Sequence, residues 1–334
     1  MSQTMNRSAM KPLHPFTLAP RQAGFALVVV ILVLLLVTVL AAELTFAVRV
    51  GTLEGFNTRQ RLVGRALAHS GVNQALFGLI DRPLQYDEEQ RAYLGKEEQS
   101  RLATGRIRYV LVNESGKIDL NGASRQLLTT AAAFLGLDEE EQAILADSLE
   151  DWRDSDNLFR LQGAEDDYYQ ELEPPYRARN GRCVEVGELA LVRGADKIGD
   201  RVRIAEMFTV HNPGGKINFN SLSPAMLAFL TEKDPTKMAA YHELRRDQGD
   251  LSALEARLIL GDERYQHCAD FLTYSAGKVA FFTVSATGYP GRRDDELALD
   301  QDNLDDHQPG TRVTVLFEKN GVTPRYYGWQ EEWS

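Results

Sequence analysis

From Ala23 to Ala42 the chain runs through twenty residues of which only Thr38 is polar. At a rise of 1.5 Å per residue a helix of that length crosses a hydrocarbon core of about 30 Å, so the run predicts a membrane-spanning helix. It is longer than the ~7 to 15 apolar residues of a secretory signal, whose cut site would also lie behind the run. Arg7, Lys11 and Arg21 precede it with no acidic residue among them, which places the N-terminus in the cytoplasm and residues 43–334 on the far side. On these rules alone the chain is a single-pass protein with a permanent anchor.

The residues at the head of the run are more specific. A basic leader ends in "RQAG" and is followed at once by "FALVVVILVLLL", a junction that resembles the processing site of type IV pilins and of the pseudopilins of type II secretion. The resemblance implies cleavage after Gly24 by a membrane prepilin peptidase and a new, usually methylated, amino terminus at Phe25. The apolar run would stay on the mature chain as an assembly helix carrying Val29, Leu35 and Glu43. Most pilins have glutamate at the fifth mature position, where this chain has Val29. An unpaired carboxylate inside a bilayer is costly, and a subunit with nothing above it in a filament has no partner for one. In this respect, and in length, the chain resembles the K-type minor pseudopilins (the general secretion pathway protein K family), which implies a place at the filament tip.

With 334 residues, 43% of them hydrophobic and 25% charged, the external part is long enough to bury a core larger than a small pilin head. Net charge is −11, and loss of the leader's three cations leaves about −14, which argues against nucleic acid as a partner of the bulk surface. The cysteines are Cys183 and Cys268, both on the external side, where an oxidising compartment permits a disulfide between them. Two separately buried thiols fit the sequence equally well.

Beyond Glu43 the apolar positions Leu44, Val48, Phe56, Ala66, Val72, Leu76 and Leu79 recur at helical intervals, so one long helix is predicted to about residue 80, ended by "DRP" at 81–83. Gly51, Gly55, Gly64 and Gly71 count against it, at about 1 kcal/mol each relative to alanine. "RIRYVLVNE" alternates Ile107, Tyr109 and Leu111 with Arg106, Arg108 and Val110, the period of a half-buried strand. Three further strands are read at 279–288, 311–321 and 324–333, the last two joined through Asn320 and Gly321. The fold class is therefore α+β. Residues 1–24 form the leader, 25–80 the transmembrane and pilin helix, 81–115 a connector with the first strand, 116–278 a mainly helical insertion, and 279–334 the terminal strands.

The insertion carries an internal repeat, dividing it into 116–205 and 206–278. "GKIDLNGASRQLL" at 116–128 and "GKINFNSLSPAML" at 215–227 align without gaps. Each has a strand-like entry, an asparagine expected to bond the turn backbone, and a serine placed to cap the helix behind it. Asp138 and Glu141 predict a capping box, with Leu145, Leu149 and Trp152 along one face of the next helix. The entry also resembles helix-hairpin-helix modules of DNA-uptake proteins, which supplies an alternative: a membrane-anchored DNA receptor. That module needs amides and cations around a phosphate, whereas "LGLDEEEQ" stands in the corresponding place.

Between 138 and 175 fourteen acidic residues face Arg153 and Arg160 alone. The words "DWRDSD", "GAEDDYY", "PPYRARN" and "ELALVRG" resemble the K family in content and order, and with the repeat and terminal strands extend the likeness over most of the mature chain. Asp151, Asp154, Asp156, Glu165, Asp166 and Asp167 supply hard oxygen donors of the type that bind Ca²⁺, an ion the resemblance also implies; the spacing is not that of an EF-hand. A solvated acidic surface is the plainer reading of the same residues. No HExxH, P-loop, GxSxG or zinc-type cysteine spacing occurs, and the histidines, among them His69, His242 and His267, are scattered, so no enzyme is expected. The resemblance implies an inner-membrane protein with a periplasmic C-terminal domain. Its implied partners are the I-, J- and H-type minor pseudopilins, the major pseudopilin, the prepilin peptidase, and the secretin or secreted cargo.

Overall fold

The computed structural model describes residues 22–81, 94–199, 201–275, 279–291, 309–321 and 323–333. The basic leader residues Arg7, Lys11 and Arg21 and most of the connector behind "DRP" lie outside them. The chain divides into two units, one ending at Arg59 and one beginning at Gln60.

The described part of the first unit is helical. The helix α1 spans Gln22–Asp81, and the large apolar side chains of its first half, from Phe25 to Phe56, are exposed. Among the described residues it is the one helix long and apolar enough to cross a membrane. The hydroxyls of Thr38, Thr45 and Thr52 donate to the carbonyls of Leu35, Ala41 and Val48 at 2.8, 2.7 and 2.7 Å, so none carries an unmet hydrogen bond on the apolar surface.

The second unit holds a five-stranded antiparallel sheet and a helical insertion, each with its own core. The sheet order is β1 (Glu97–Leu102), β2 (Gly105–Asn113), β7 (Phe281–Pro290), β8 (Thr311–Asn320) and β9 (Thr323–Trp333). Against it lies the second half of α1, whose Leu67, Ala68, Val72, Ala75, Leu76 and Leu79 fall at three- and four-residue spacings and are buried on Ile107, Tyr109, Val284, Ala286, Val313 and Val315. Ile107, Tyr109 and Leu111 face this core, as their alternation predicts. Two of the glycines that weaken the helix on propensity are where it touches the sheet. A Cβ on Gly71 would stand 2.6 Å from Ile107 Cγ2, and one on Gly64 2.8 Å from Thr311 Oγ1, whereas Gly51 and Gly55 have nothing near them.

Two sequence expectations need correction. The charged stretch Glu97–Leu102 is an edge strand, paired with β2 from Glu97↔Val110 to Leu102↔Gly105, although it has no apolar alternation; an edge strand with no fully buried side chain needs none. In the terminal hairpin Asn320 pairs with Thr323, so it ends β8 and Gly321, at φ +65°, is the first turn residue.

The insertion leaves the sheet after Asn113 and returns at Phe281; since Asn113 pairs with Phe282, it is carried on adjacent ends of two neighbouring strands. Its elements are β3 (Ile118–Asp119), α2 (Arg125–Phe134), α3 (Glu139–Arg153), α4 (Asp166–Gln170), α5 (Arg201–Met207), β4 (Phe208–Thr209), β5 (Ile217–Asn218), α6 (Pro224–Leu230), α7 (Pro235–Gln248), α8 (Ala253–Leu260), α9 (Asp262–Cys268) and β6 (Leu272–Thr273). The repeat is structural: β3 pairs in parallel with β4, and β5 with β6. Ser124 and Ser223 cap α2 and α6, accepting from Leu127 and Met226 at 3.3 and 3.0 Å. The paired asparagines do something other than the expected local turn bond. Asn121 clasps the backbone N–H and C=O of Cys183, and Asn220 those of Leu251, each stitching a distant segment to its repeat entry.

Candidate metal centre

Helix α3 begins in the predicted capping box, with Asp138 and Glu141 bonding each other's backbone amides, so these two carboxylates are occupied by the helix itself. Its buried face carries Leu145, Leu149 and Trp152 into the insertion's core. Asp147, Asp151 and Asp154 follow at i, i+4 and i+7, which brings three carboxylates to one side of its C-terminal end. The chain then loops from Asp154 to Glu165 and re-enters helix at α4.

Arg160 folds back from this loop onto α3. Its guanidinium reaches Glu150 at 2.8 Å, Asp151 at 2.5 Å and Asp154 Oδ2 at 2.9 Å, and its backbone N–H donates to Asp151 Oδ2 at 3.0 Å. These carboxylates hold the Arg160 cation more firmly than solvent would, raising its pKa. Asp147 accepts from Arg125 Nε at 2.6 Å and from the backbone of Gln162, while Arg153 donates to the carbonyls of Leu120 and Ala123, tying α3 to the first repeat entry.

What Arg160 leaves over is a group of three. Asp154, Asp156 and Glu165 each offer an oxygen, and these oxygens lie within 4.8 Å of one another. Glu165 is 5% exposed, and neither of its oxygens nor Oδ1 of Asp154 has a hydrogen-bond partner. Burial, followed by the negative charges of Asp151, Asp154, Asp156 and Asp166, pushes the Glu165 carboxyl up to about 7. Buried oxygens without donors are rare in folded proteins and call for a cation or a proton. Two ligands on opposite sides of a calcium ion at 2.3 to 2.6 Å stand at most about 5 Å apart, so the donor type and the spacing both fit a hard divalent cation.

Of the six carboxylates expected at the centre, the structure thus brings together Asp154, Asp156 and Glu165. Asp151 is fully buried but committed to Arg160, Asp166 accepts from the backbone of Ala178 at 2.9 Å, and Asp167 is exposed. Asp147 and Glu150, which brace the loop, were not among them, although the i, i+4, i+7 spacing of the helix marks the face they share in part. An open cavity of about 560 Å³ nearby in the insertion is lined by Trp152, Tyr176, Arg177, Arg182, Val184 and Leu191, none of them an expected site residue.

The two cysteines are free and buried, so the disulfide expected as one alternative is not formed. Cys183 is held by Asn121 of the first repeat, and Cys268 ends α9 of the second. Burial pushes both thiols up, Cys183 to about 11, which leaves them protonated and unreactive at neutral pH. Gly24 lies within α1, and Phe25, Val29, Leu35 and Glu43 are exposed along its first unit.

Residues 110–198 match the family described as "Type II secretion system (T2SS), protein K". The chain is 29% identical over 259 residues to type II secretion system protein K of Pseudomonas aeruginosa, covering 68% of this chain and 74% of that protein. It is 24% identical to protein K of Klebsiella pneumoniae over 237 residues, 65% of this chain and 72% of that protein. In fold it is similar to a chain in the crystal structure of the GspK-GspI-GspJ complex from enterotoxigenic Escherichia coli, with a TM-score of 0.50, 14% identity, and coverage of 85% of this chain and 99% of that one.

Proposed function

Taking as premise a chain that is protein-K-like in sequence and in fold, we propose that it is a minor pseudopilin standing at the tip of a type II secretion pseudopilus. The observation that carries this reading is the first half of α1. Its residues 25–42 form an exposed helix with Thr38 as the one polar side chain and valine at position 29, able to sit in the inner membrane and then to pack against neighbouring helices from above, with no carboxylate at position 29 to pair upward. The solved relative is a complex of K, I and J proteins, and I- and J-type minor pseudopilins are the corresponding partners here. The remaining neighbours in the proposal are the H type, the major pseudopilin, and the secretin or secreted cargo.

Its work in this reading is non-covalent. A prepilin peptidase removes residues 1–24, the N-terminus lies in the cytoplasm, and the sheet and helical insertion lie in the periplasm. In this reading the insertion, added to a pilin-like sheet, is the part that starts or caps assembly for export of folded proteins. Calcium held by Asp154, Asp156 and Glu165 would supply positive charge to oxygens the protein leaves without donors and fix the 154–165 loop.

The test is the mass and N-terminal sequence of the membrane-extracted protein from cells with and without the prepilin peptidase. A chain beginning at Phe25, one methyl group heavier, only where the peptidase is present is the expected result. An intact leader in both strains overturns the reading.

A further inference from the structure

Residues 176–184 line the open cavity of about 560 Å³ beside α3, and this segment is tied down at nearly every step. Tyr176 donates from its N–H to the Tyr169 carbonyl at 3.2 Å and from its hydroxyl to that of Leu191 at 2.8 Å. Ala178 N–H donates to Asp166 at 2.9 Å, and Arg179 reaches the Arg182 carbonyl at 2.6 Å and the buried Glu188 carboxylate at 3.3 Å. Asn180 bonds Asn157, and Asn121 clasps Cys183. Arg177 and Arg182 stand between these ties. Both are exposed, and among the described residues neither guanidinium has a hydrogen bond or an ion pair. Arg182 eases the charge of buried Asp119 through space without pairing with it. A single exposed arginine is ordinary. Here, however, the chain carries a net charge of −11 and fourteen acidic residues between 138 and 175, and its loop is fixed so that two guanidinium groups take none of them.

The cavity supplies the second half of the site. Trp152, 3% exposed, and Tyr176 line its depth, while Val184 and Leu191, 63% and 46% exposed, line its rim. Guanidinium groups bind carboxylate oxygens with directed, charge-assisted hydrogen bonds, and an aromatic and aliphatic wall next to them takes an apolar side chain. The volume lies in the ordinary range of ligand pockets, roughly 300 to 1,000 Å³. Glu188 is neutralised by Arg179, which leaves the exposed Glu185 against Arg177 and Arg182, an excess of one cation. That excess suits one carboxylate. Asp156, Asp167, Glu171 and Glu173 are exposed in the neighbouring sequence, so a surface of many negative charges, a membrane or a nucleic acid, meets repulsion that a single carboxylate on a peptide avoids.

We propose that Arg177, Arg182 and the cavity beside them form a receptor for an extended segment of another protein that carries an aspartate or glutamate next to a large apolar side chain. The loop is held without any metal, and the proposal does not rest on the tip position.

The experiment pans a phage library of random short peptides against the full chain in neutral detergent, then measures binding of a labelled synthetic peptide of the enriched sequence by fluorescence polarisation. Enriched peptides should carry an acidic residue beside an aromatic or large aliphatic one. Arg177→Gln with Arg182→Gln should weaken binding by about tenfold or more, as should changing the peptide's acid to its amide. Gly181→Trp should do the same by filling the cavity, since an added Cβ there has nothing nearer than the Arg179 carbonyl at 3.9 Å. No enrichment, enriched peptides without an acid, or unchanged binding by either variant would overturn the proposal. Because the exposed Leu158, Phe159 and Leu161 adjoin through Asn157, short-chain phosphatidylglycerol is the competing probe. Displacement of the labelled peptide by this lipid as effectively as by unlabelled peptide would also overturn it, as would a fall in unfolding temperature of the arginine double variant, because the arginines would then serve the fold.

Discussion

The carboxylate of Glu165 sits almost out of reach of solvent with no donor on either oxygen, amid the negative charges of Asp151, Asp154, Asp156 and Asp166. Such a group is tolerable either protonated or beside a cation. Its folded pKa of about 7 is above the ordinary value of 4.5, so in metal-free protein the folded state keeps a proton that the unfolded state releases. That contribution is present in full below about pH 4.5 and is lost as pH rises through 7. In chelator, the unfolding temperature of wild type relative to Glu165→Gln should therefore fall as pH rises over this window. Calcium should raise the wild-type unfolding temperature more at pH 8 than at pH 5, since the ion needs the ionised carboxylate, and Glu165→Gln should lose most of that gain. Equal melts with and without chelator at pH 8 would remove the metal reading and leave the pH slope.

At the scale of elements, the crossing of α1 over the sheet depends on glycine. A Cβ on Gly288 of β7 would collide with the Gly64 carbonyl and crowd Ala68 and Leu67, all on a helix that has no room to lift without opening the apolar contact. Gly288→Ala should cost about 1 to 3 kcal/mol in chemical denaturation. Gly78→Ala, on the same helix with nothing within 4 Å, should instead gain roughly 0.5 to 1 kcal/mol from the restricted unfolded chain. No loss of stability in Gly288→Ala, or a loss in Gly78→Ala as large as that in Gly288→Ala, would show that the close approach does not govern this face.

For the molecule as a whole, the joint between sheet and insertion is polar and buried. Glu114 and Lys117 pair at 2.7 Å at the point where the chain leaves β2; Thr283 of β7 donates to the same carboxylate, and Lys117 Nζ reaches the carbonyl of Ala205. Lys117→Met leaves a buried carboxylate without its cation and should destabilise the chain by about 3 to 5 kcal/mol, whereas replacing both partners by apolar residues should cost much less. A single cooperative transition in wild type that splits in two in Lys117→Met would show that this pair couples the two cores. At the other end of the chain, if the proposed tip position holds, Val29→Glu should reduce secretion in cells without changing the level of the mature protein, because a carboxylate there would have no amine above it to pair with; unchanged secretion would count against the tip position.

What the sequence determined by itself was whatever depends on local chemistry. Length and apolarity of residues 23–42 dictate a membrane-length helix, period-two alternation sets β2, β7 and β8, and serine and aspartate oxygens at the right offset cap α2, α3 and α6, since each of these is settled within a few residues along the chain. Tertiary structure decided everything that depends on which distant groups meet. It gave Asp151 to Arg160 and left Glu165 without a donor, although both are acidic residues in one short stretch. It turned Asn121 and Asn220 from turn formers into clasps on Cys183 and Leu251, placed Gly64 and Gly71 where α1 meets the sheet, and kept the two thiols apart. The physical reason is the same in each case: hydrogen-bond partners, close approaches and burial are properties of surfaces brought together by folding, and residues remote in sequence carry no periodic signal of one another.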